Sequence, residues 1–265
     1  MRILLVSDIH ANRPALEAIQ EEYDVCLFLG DLVDYGVEPG PCIEWVRQRA
    51  KYGVRGNHDH QAAQKVFVQG VSGFRYLTGV TRPITCDLMT EADRRYLMSL
   101  PPTKYLTLNG KRFLLVHATP RDPLDEYGPP DAEFWKRRLE GIDVDYVCVG
   151  HTHVQFALHI GKTTVLNPGS AGLPRDGDPR AAYAIITDEG PILKRVEYPI
   201  EEAVAEVEKT NIPDLAKQML TEVYRKGKLE RKNGNGDHTK EKNGNGNGNG
   251  NGNGNHAKEK VESKE

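Results

Sequence analysis

The stretch RILLVSDIHANRPALEAIQEEYDVCLFLGD, Arg2 to Asp31, decides the fold. RILLVS is an apolar run of strand length and predicts a buried strand. Asn12 stands where it can cap a helix through RPALEAIQEEY, residues 13–23, with Pro14 in its first turn. VCLFLG predicts a second strand. Strand, helix and strand in so short a span form a βαβ unit, whose strands lie parallel with the helix crossing one face. Each strand runs out into an aspartate, Asp8 after the first and Asp31 after the second.

Working outward, GPCIEWVRQRAK predicts a second helix with Ile43, Val46 and Ala50 on one face, and YGVRG, residues 52–56, a third short strand. Residues 60–100 are less regular. Thr90 with Asp93 forms a capping box before RRYLMSL, and Pro101-Pro102 stops that helix. KYLTLNGKRFLLVHA contains Asn109-Gly110 between two apolar runs and predicts a hairpin. DAEFWKRRLE predicts a helix and VDYVCVGHTH a strand. FALHIGKTTVLNPGS and AAYAIITDEGPILKRVEY predict two further hairpins, turning at Gly161-Lys162 and Glu189-Gly190. Two closing helices follow, PIEEAVAEVEKT and IPDLAKQMLTEVYRK. From Leu229 onward the chain is Asn-Gly repeats and charge, which bury too little apolar surface to offset the entropy of ordering, so residues 229–265 are expected to be disordered. A β/α first half and a hairpin-rich second half thus precede the tail.

The whole chain has 265 residues, is 38% hydrophobic and 28% charged, and carries a formal net charge of -3, an ordinary globular composition without the basic balance of a nucleic-acid binder. No apolar run reaches membrane-spanning length, and MRILLVSDIH has no cleavage site of the secretory kind. Cys26, Cys42, Cys86 and Cys148 form no C-x-x-C pair, and reduced thiols in a cytoplasmic protein are expected.

Polar clusters follow five predicted strands. Asp8 and His10 follow the first as D-x-H, Asp31 and Asp34 the second as GDLVD, and Asn57, His58 and Asp59 the third as GNHD; His117 ends the next and His151 with His153 another. Any one of these is ordinary, since a lone Asp after a strand is usually a turn residue. Together they are not, because ligands of open α/β sheets gather outside the carboxyl ends of strands. Carboxylate, imidazole and amide donors without a thiolate suit Mn, Fe, Zn, Co or Ni. Seven such donors, Asp8, His10, Asp31, Asn57, His117, His151 and His153, exceed one tetrahedral site and suit two ions sharing a carboxylate.

D-x-H, G-D-x-x-D, G-N-H-D, a single H and G-H-T-H, in this order over about residues 1–200, resemble the calcineurin-like metallophosphoesterases. NPGSAGLPRDGDPRAAYAI, Asn167 to Ile185, further resembles a small prokaryotic branch that includes archaeal phosphoesterases and YfcE-like phosphodiesterases. The resemblance implies a four-layer αββα sandwich of two mixed β-sheets flanked by helices over residues 1–200, with residues 201–228 as closing helices packed on the domain or following it. It implies two divalent ions, with manganese expected to serve in vitro: Asp8, His10 and His153 on one, Asn57, His117 and His151 on the other, Asp31 bridging. It implies hydrolysis of a small or nucleotide-like phosphate ester by a metal-bridging hydroxide. His58 would face the substrate, Asp59 would orient its imidazole, Asp34 would support a ligand histidine, and Gly56 would let the backbone turn.

The serine/threonine protein phosphatases of this superfamily continue the second motif with an arginine, where this chain has Tyr35. Arg175 and Arg180 are candidate replacements at the substrate, or loop residues paired with Asp176 and Asp178. A small phosphorylated substrate is the expected partner, with no membrane and no nucleic acid; monomer and homo-oligomer both stay open. A non-catalytic scaffold of the same fold, as in a retromer subunit, and a protein-phosphatase-like enzyme are the alternatives.

Overall fold

β1 (Ile3–Val6) and β2 (Val25–Phe28) pair in parallel, Ile3 opposite Val25 and Val6 opposite Phe28. Between them lies α1 (Arg13–Glu17), capped by the Asn12 side chain on Ala15 N–H. It is shorter than the expected 13–23. Beyond Glu17 the chain is held by tertiary contacts instead: Arg2 Nε donates to the Glu22 carbonyl, and Lys194 and Tyr183 take the Glu21 carboxylate. α2 (Pro39–Arg49) leads to β3 (Ala50–Gly53), which pairs in parallel with β2. β3 starts and stops earlier than expected, because Arg55 N–H leaves the sheet for the Pro101 carbonyl.

Residues 57–99 are largely helical, as α3 (Asn57–Ala63), α4 (Gly73–Leu88) and α5 (Glu91–Ser99). α5 starts at the expected Thr90–Asp93 box. A second sheet follows: the hairpin β4 (Thr103–Leu108) and β5 (Lys111–Val116), then α6 (Ala132–Arg138), β6 (Tyr146–Cys148), β7 (Gln155–Ile160) and β8 (Thr163–Pro168). The chain then returns to the first sheet as the hairpin β9 (Ala181–Thr187) and β10 (Gly190–Val196), and closes with α7 (Ile200–Glu208) and α8 (Asp214–Lys226).

The sheet orders are β10-β9-β1-β2-β3 and β4-β5-β6-β8-β7, each mixed, with β1, β2 and β3 parallel in one and β5, β6 and β8 parallel in the other. Alternation along β1 divides its residues between two cores. Ile3 and Leu5 join Leu27, Phe113, Leu115, Cys148 and Leu166 between the sheets. Leu4 and Val6 face the helices with Phe28, Ile43, Val46 and Leu97. Behind the second sheet, Trp135 and Leu139 cover Leu114, Val116, Val147 and Val165. Helix, sheet, sheet and helix make the αββα sandwich. α7 and α8 pack with Leu77 of α4 and Leu173.

The computed structural model describes residues 1–230, and the expected disorder of the tail from residue 231 onward lies outside them. Among the described residues no helix is long and apolar enough to cross a membrane, and all four cysteines are free and buried.

Candidate metal centre

Both sheets deliver side chains to one place, beyond the carboxyl ends of their parallel strands. β1 supplies Asp8 and His10, β2 supplies Asp31, and the loop from β3 supplies Asn57 at the first turn of α3. β5 supplies His117, and β6 supplies His151 and His153. Asp8, His10 and His153 form one buried group, and Asp31, His117 and His151 another, in each of which the donor atoms lie within 4.8 Å of one another. Asp8, His10, Asp31, His151 and His153 all have positive φ, between 47° and 67°, a region that non-glycine residues enter at a cost. The turns that expose these side chains are strained where the chemistry is.

The hydrogen bonds of the histidines fix their free nitrogens. His10 Nδ1 bonds the Val33 carbonyl at 2.8 Å, His117 Nδ1 the Leu29 carbonyl at 2.8 Å and His153 Nδ1 the Leu173 carbonyl at 2.5 Å. A carbonyl only accepts, so each Nδ1 carries a proton and each ring turns its Nε2 inward, bare whenever the ring is neutral. Burial pushes His10 down to about 3 and His153 well below its ordinary value, so both are neutral. Their Nε2 atoms lie 3.2 Å apart. Two lone pairs at that distance repel, and a cation between them removes the conflict.

The second group carries the same signature. Asn57 Oδ1 is buried without a hydrogen bond, and His117 Nε2 makes none either, although it lies 3.2 Å from Asp31 Oδ2. His151 bonds the Asp125 carbonyl through Nε2 at 3.2 Å, which leaves Nδ1 for a ligand. Asp31 Oδ2 is central, 3.2 Å from His117 Nε2, 3.8 Å from His10 Nε2 and 4.0 Å from His58 Nε2. Burial alone would pull His117 down, yet the Asp31 charge outweighs it and His117 rises to about 9. Burial likewise opposes ionisation of Asp31, but His117 and His58 hold it well below the carboxylate range. Asp8, with less compensation for its burial, rises to about 7. A proton on His117 thus balances Asp31, in the place a metal charge would fill. Donor types, orphaned lone pairs and geometry all fit divalent cations.

Several expected roles change. Asp59 does not touch the His58 imidazole: its carboxylate accepts the backbone N–H groups of Asp31 (2.9 Å), Leu32 (2.7 Å) and Gly56 (3.0 Å), so it fixes the turn that carries Asp31. Asp34, expected behind a ligand histidine, instead takes His58 Nδ1 at 2.6 Å. Gly56 has ordinary extended angles, φ -89° and ψ 179°. It is glycine for space, since a Cβ there would sit 2.0 Å from Asp31 Oδ1. Of the two readings open for Arg180, the structure has the loop pair: it is half exposed and paired with Asp178 at 2.6 Å. Arg175 does border the centre. Its guanidinium lies 3.8 Å over the Phe74 ring, its Nη2 is 3.3 Å from Tyr35 Oη, and its Nε is buried without a hydrogen bond. Tyr35 is buried with its ring 4.7 Å from His10 and 5.0 Å from His58.

Other residues were given no role by the sequence, although NPGSAGL was part of the resemblance. Arg82 is completely buried and grips Asp34 with Nε and Nη2. Asn167 donates to the Gly150 carbonyl and to Thr152, bracing the turn that carries His151 and His153. Ser170 donates to the Asp8 carbonyl, and Ala171 and Gly172 donate to the carbonyls of Ser7 and Asp8. The segment NPGSAGL therefore backs the D-x-H turn.

Two mixed sheets with paired Asp/His groups at their carboxyl edge define a metallophosphoesterase, and the solved metallophosphoesterase from Sphaerobacter thermophilus matches with a TM-score of 0.70 and 31% identity, covering 84% of this chain and 99% of that one. The chain belongs to the calcineurin-like phosphoesterase superfamily, whose domain model matches residues 1–190. An uncharacterized protein of Methanocaldococcus jannaschii is 30% identical over 240 residues, 80% of this chain and 94% of its own length. Phosphodiesterase YfcE of Escherichia coli K12 is 25% identical over 194 residues, 71% of this chain and 89% of its own.

Proposed function

We propose that this protein hydrolyses a phosphate ester, most readily a diester of a small or nucleotide-like molecule, with two divalent cations. Asp8, His10 and His153 would hold one, Asn57, His117 and His151 the other, and Asp31 both. The observation that carries this reading is the pair of bare Nε2 atoms of His10 and His153 at 3.2 Å, alongside a second Asp/His group with its own orphaned donors. Bound there, divalent cations supply charge neutralisation for the phosphoryl oxygens and a water acidic enough to react near neutral pH.

The protein's own groups do the rest. Asp34 holds the Nδ1 side of His58, so Nε2 faces the centre from 4.0 Å beyond Asp31. Burial works against a charge on His58, but Asp31 and Asp34 outweigh it and raise its affinity for a proton. A protonated His58 is placed to donate to the leaving oxygen or to stabilise phosphoryl charge. Arg175, its guanidinium over the Phe74 ring and its Nε unpartnered, is placed to meet a phosphoryl oxygen, the work the protein phosphatases give to the arginine replaced here by Tyr35. The diester preference takes its support from the YfcE relative.

Hydrolysis of bis-p-nitrophenyl phosphate and of p-nitrophenyl phosphate by the purified chain with Mn, Fe, Zn, Co or Ni tests the reading, with metal content measured on the same sample. Metal-dependent turnover, faster on the diester, is expected. Two metal ions per chain with no turnover on either ester would overturn the enzyme reading in favour of a scaffold.

A further inference from the structure

Beside the apolar face of Phe74, Leu77, Val80 and Ile84 that packs on α7 and α8, α4 buries a second, polar stripe. Thr78, Thr81, Arg82 and Thr85 recur at intervals of three and four, and all four are buried, Thr81 and Arg82 completely. Three of them converge on one turn. Thr78 Oγ1 donates to Tyr35 Oη at 3.1 Å, Thr81 Oγ1 accepts Tyr35 N–H at 3.0 Å, and Arg82 meets Asp34. Asp34 and Tyr35 are consecutive non-glycine residues at φ 69° and 61°, an arrangement that persists only where surrounding contacts over-determine it.

Arg82 supplies the tightest of those contacts. Its Nε donates to Asp34 Oδ1 at 2.8 Å and Oδ2 at 2.9 Å, and Nη2 donates to Oδ2 at 2.5 Å. Its Nη1 is tied to the Val66 carbonyl at 2.7 Å. The fork fixes the plane of the Asp34 carboxylate, and Oδ2 of that carboxylate takes His58 Nδ1. A buried ion pair is a poor device for stability alone, because apolar residues of similar volume often serve as well. What a fork adds is orientation.

Resting on the reading of His58 above, we propose that Arg82 is a positioning residue. Its two-point grip on Asp34 aims His58 at the leaving oxygen, and Arg82 influences turnover only through that histidine. Arg82 has no exposed surface from which to reach substrate.

The test is a double-mutant cycle of Arg82→Gln and His58→Ala, run on aryl and alkyl phosphodiesters with good and poor leaving groups, with metal content and circular dichroism recorded for each variant. Arg82→Gln is expected to lower kcat about tenfold on the poor leaving group, which needs a proton, and under threefold on p-nitrophenolate, with KM within about twofold. On the poor leaving group, the double variant should be no slower than His58→Ala alone. If Arg82→Gln misfolds, Arg82→Lys is used in the same cycle, since it keeps the buried charge and loses the fork. A loss that multiplies onto that of His58→Ala, or that is equal for both leaving groups, would overturn the proposal while leaving the enzyme reading intact. Inactivity of the unaltered chain, or full activity of His58→Ala, would instead overturn the reading beneath it.

Discussion

His58 and Asp31 are buried side by side, His58 N–H donating to Asp31 Oδ1 at 2.9 Å, yet substitutions at the two should fail differently. His58 stands outside both donor groups, because its Nδ1 is taken by Asp34 and its Nε2 stops 4.0 Å from the Asp31 carboxylate. His58→Ala should therefore leave metal content and fold intact and lower kcat by about 10²–10⁴, the range for acid–base assistance, as steady-state kinetics beside elemental analysis would show. Unchanged turnover would refute the role given to this histidine. Asp31 sits between both groups, so Asp31→Asn removes the one negative charge they share. That variant should hold markedly less metal after dialysis, and its inactivity should follow from the loss. The ligand positions were legible in the sequence because each is a polar side chain directly after an apolar strand. The partner of His58 was not. The resemblance suggested Asp59, but successive residues of a helix point about 100° apart, which turns Asp59 away from its neighbour's ring. Asp34 comes to His58 from another turn, through space that sequence order does not display.

At the scale of elements, α4 was the part least legible. GFRYLTGVTRPITCDL contains Gly73, Gly79 and Pro83, each unfavourable in a helix, and beside Leu77 and Cys86 it buries three threonines and an arginine. Phe74, Leu77, Val80 and Ile84 recur at helical spacing and meet α7 and α8, but these helix breakers interrupt the pattern, and the face toward the Asp34–Tyr35 turn is polar. α3 was hidden for a related reason: its first turn is GNHD, which reads as a loop of donors. Here the close approach of two turns makes a prediction. A methyl at Gly56 would sit 2.0 Å from Asp31 Oδ1 and 2.5 Å from Asp31 N, and backbone atoms cannot step aside. Gly56→Ala should cost about 1–3 kcal/mol of stability by urea unfolding and should weaken metal binding in the same variant. Full stability with normal metal content would show that the turn relaxes freely. α6 supports the centre from further off. Trp135 is fully buried, donates Nε1–H to the Pro129 carbonyl, and anchors the segment whose Asp125 carbonyl holds His151. Trp135→Ala should cost about 3–5 kcal/mol, measured by the same unfolding.

At the scale of the whole molecule, the centre is a seam. Asp8, His10, Asp31 and Asn57 arrive from the first sheet, and His117, His151 and His153 from the second. The two halves were legible as a β/α part and a hairpin part, but the pairing of β1 with β9 was not, because strands so distant in sequence give no local sign of their partnership. Between the sheets the joint is apolar and self-sufficient, whereas at their carboxyl edge it is a crowd of buried carboxylates and imidazoles. Cations that drew donors from both sheets would bind the folded chain and lack a preformed site in the unfolded one, so they would stabilise it. At free metal about 100 times the dissociation constant, one site contributes about 2.7 kcal/mol, a rise in Tm of roughly 5–10 °C for a domain of this size. Treatment with EDTA should therefore lower Tm by about that amount, and added Mn should restore it. Asp31→Asn should show little response to either, because its half-sites no longer share a ligand. A chelated chain that melts where the loaded one does would mean that the donors of the two sheets are not joined through metal, whatever the distances between them.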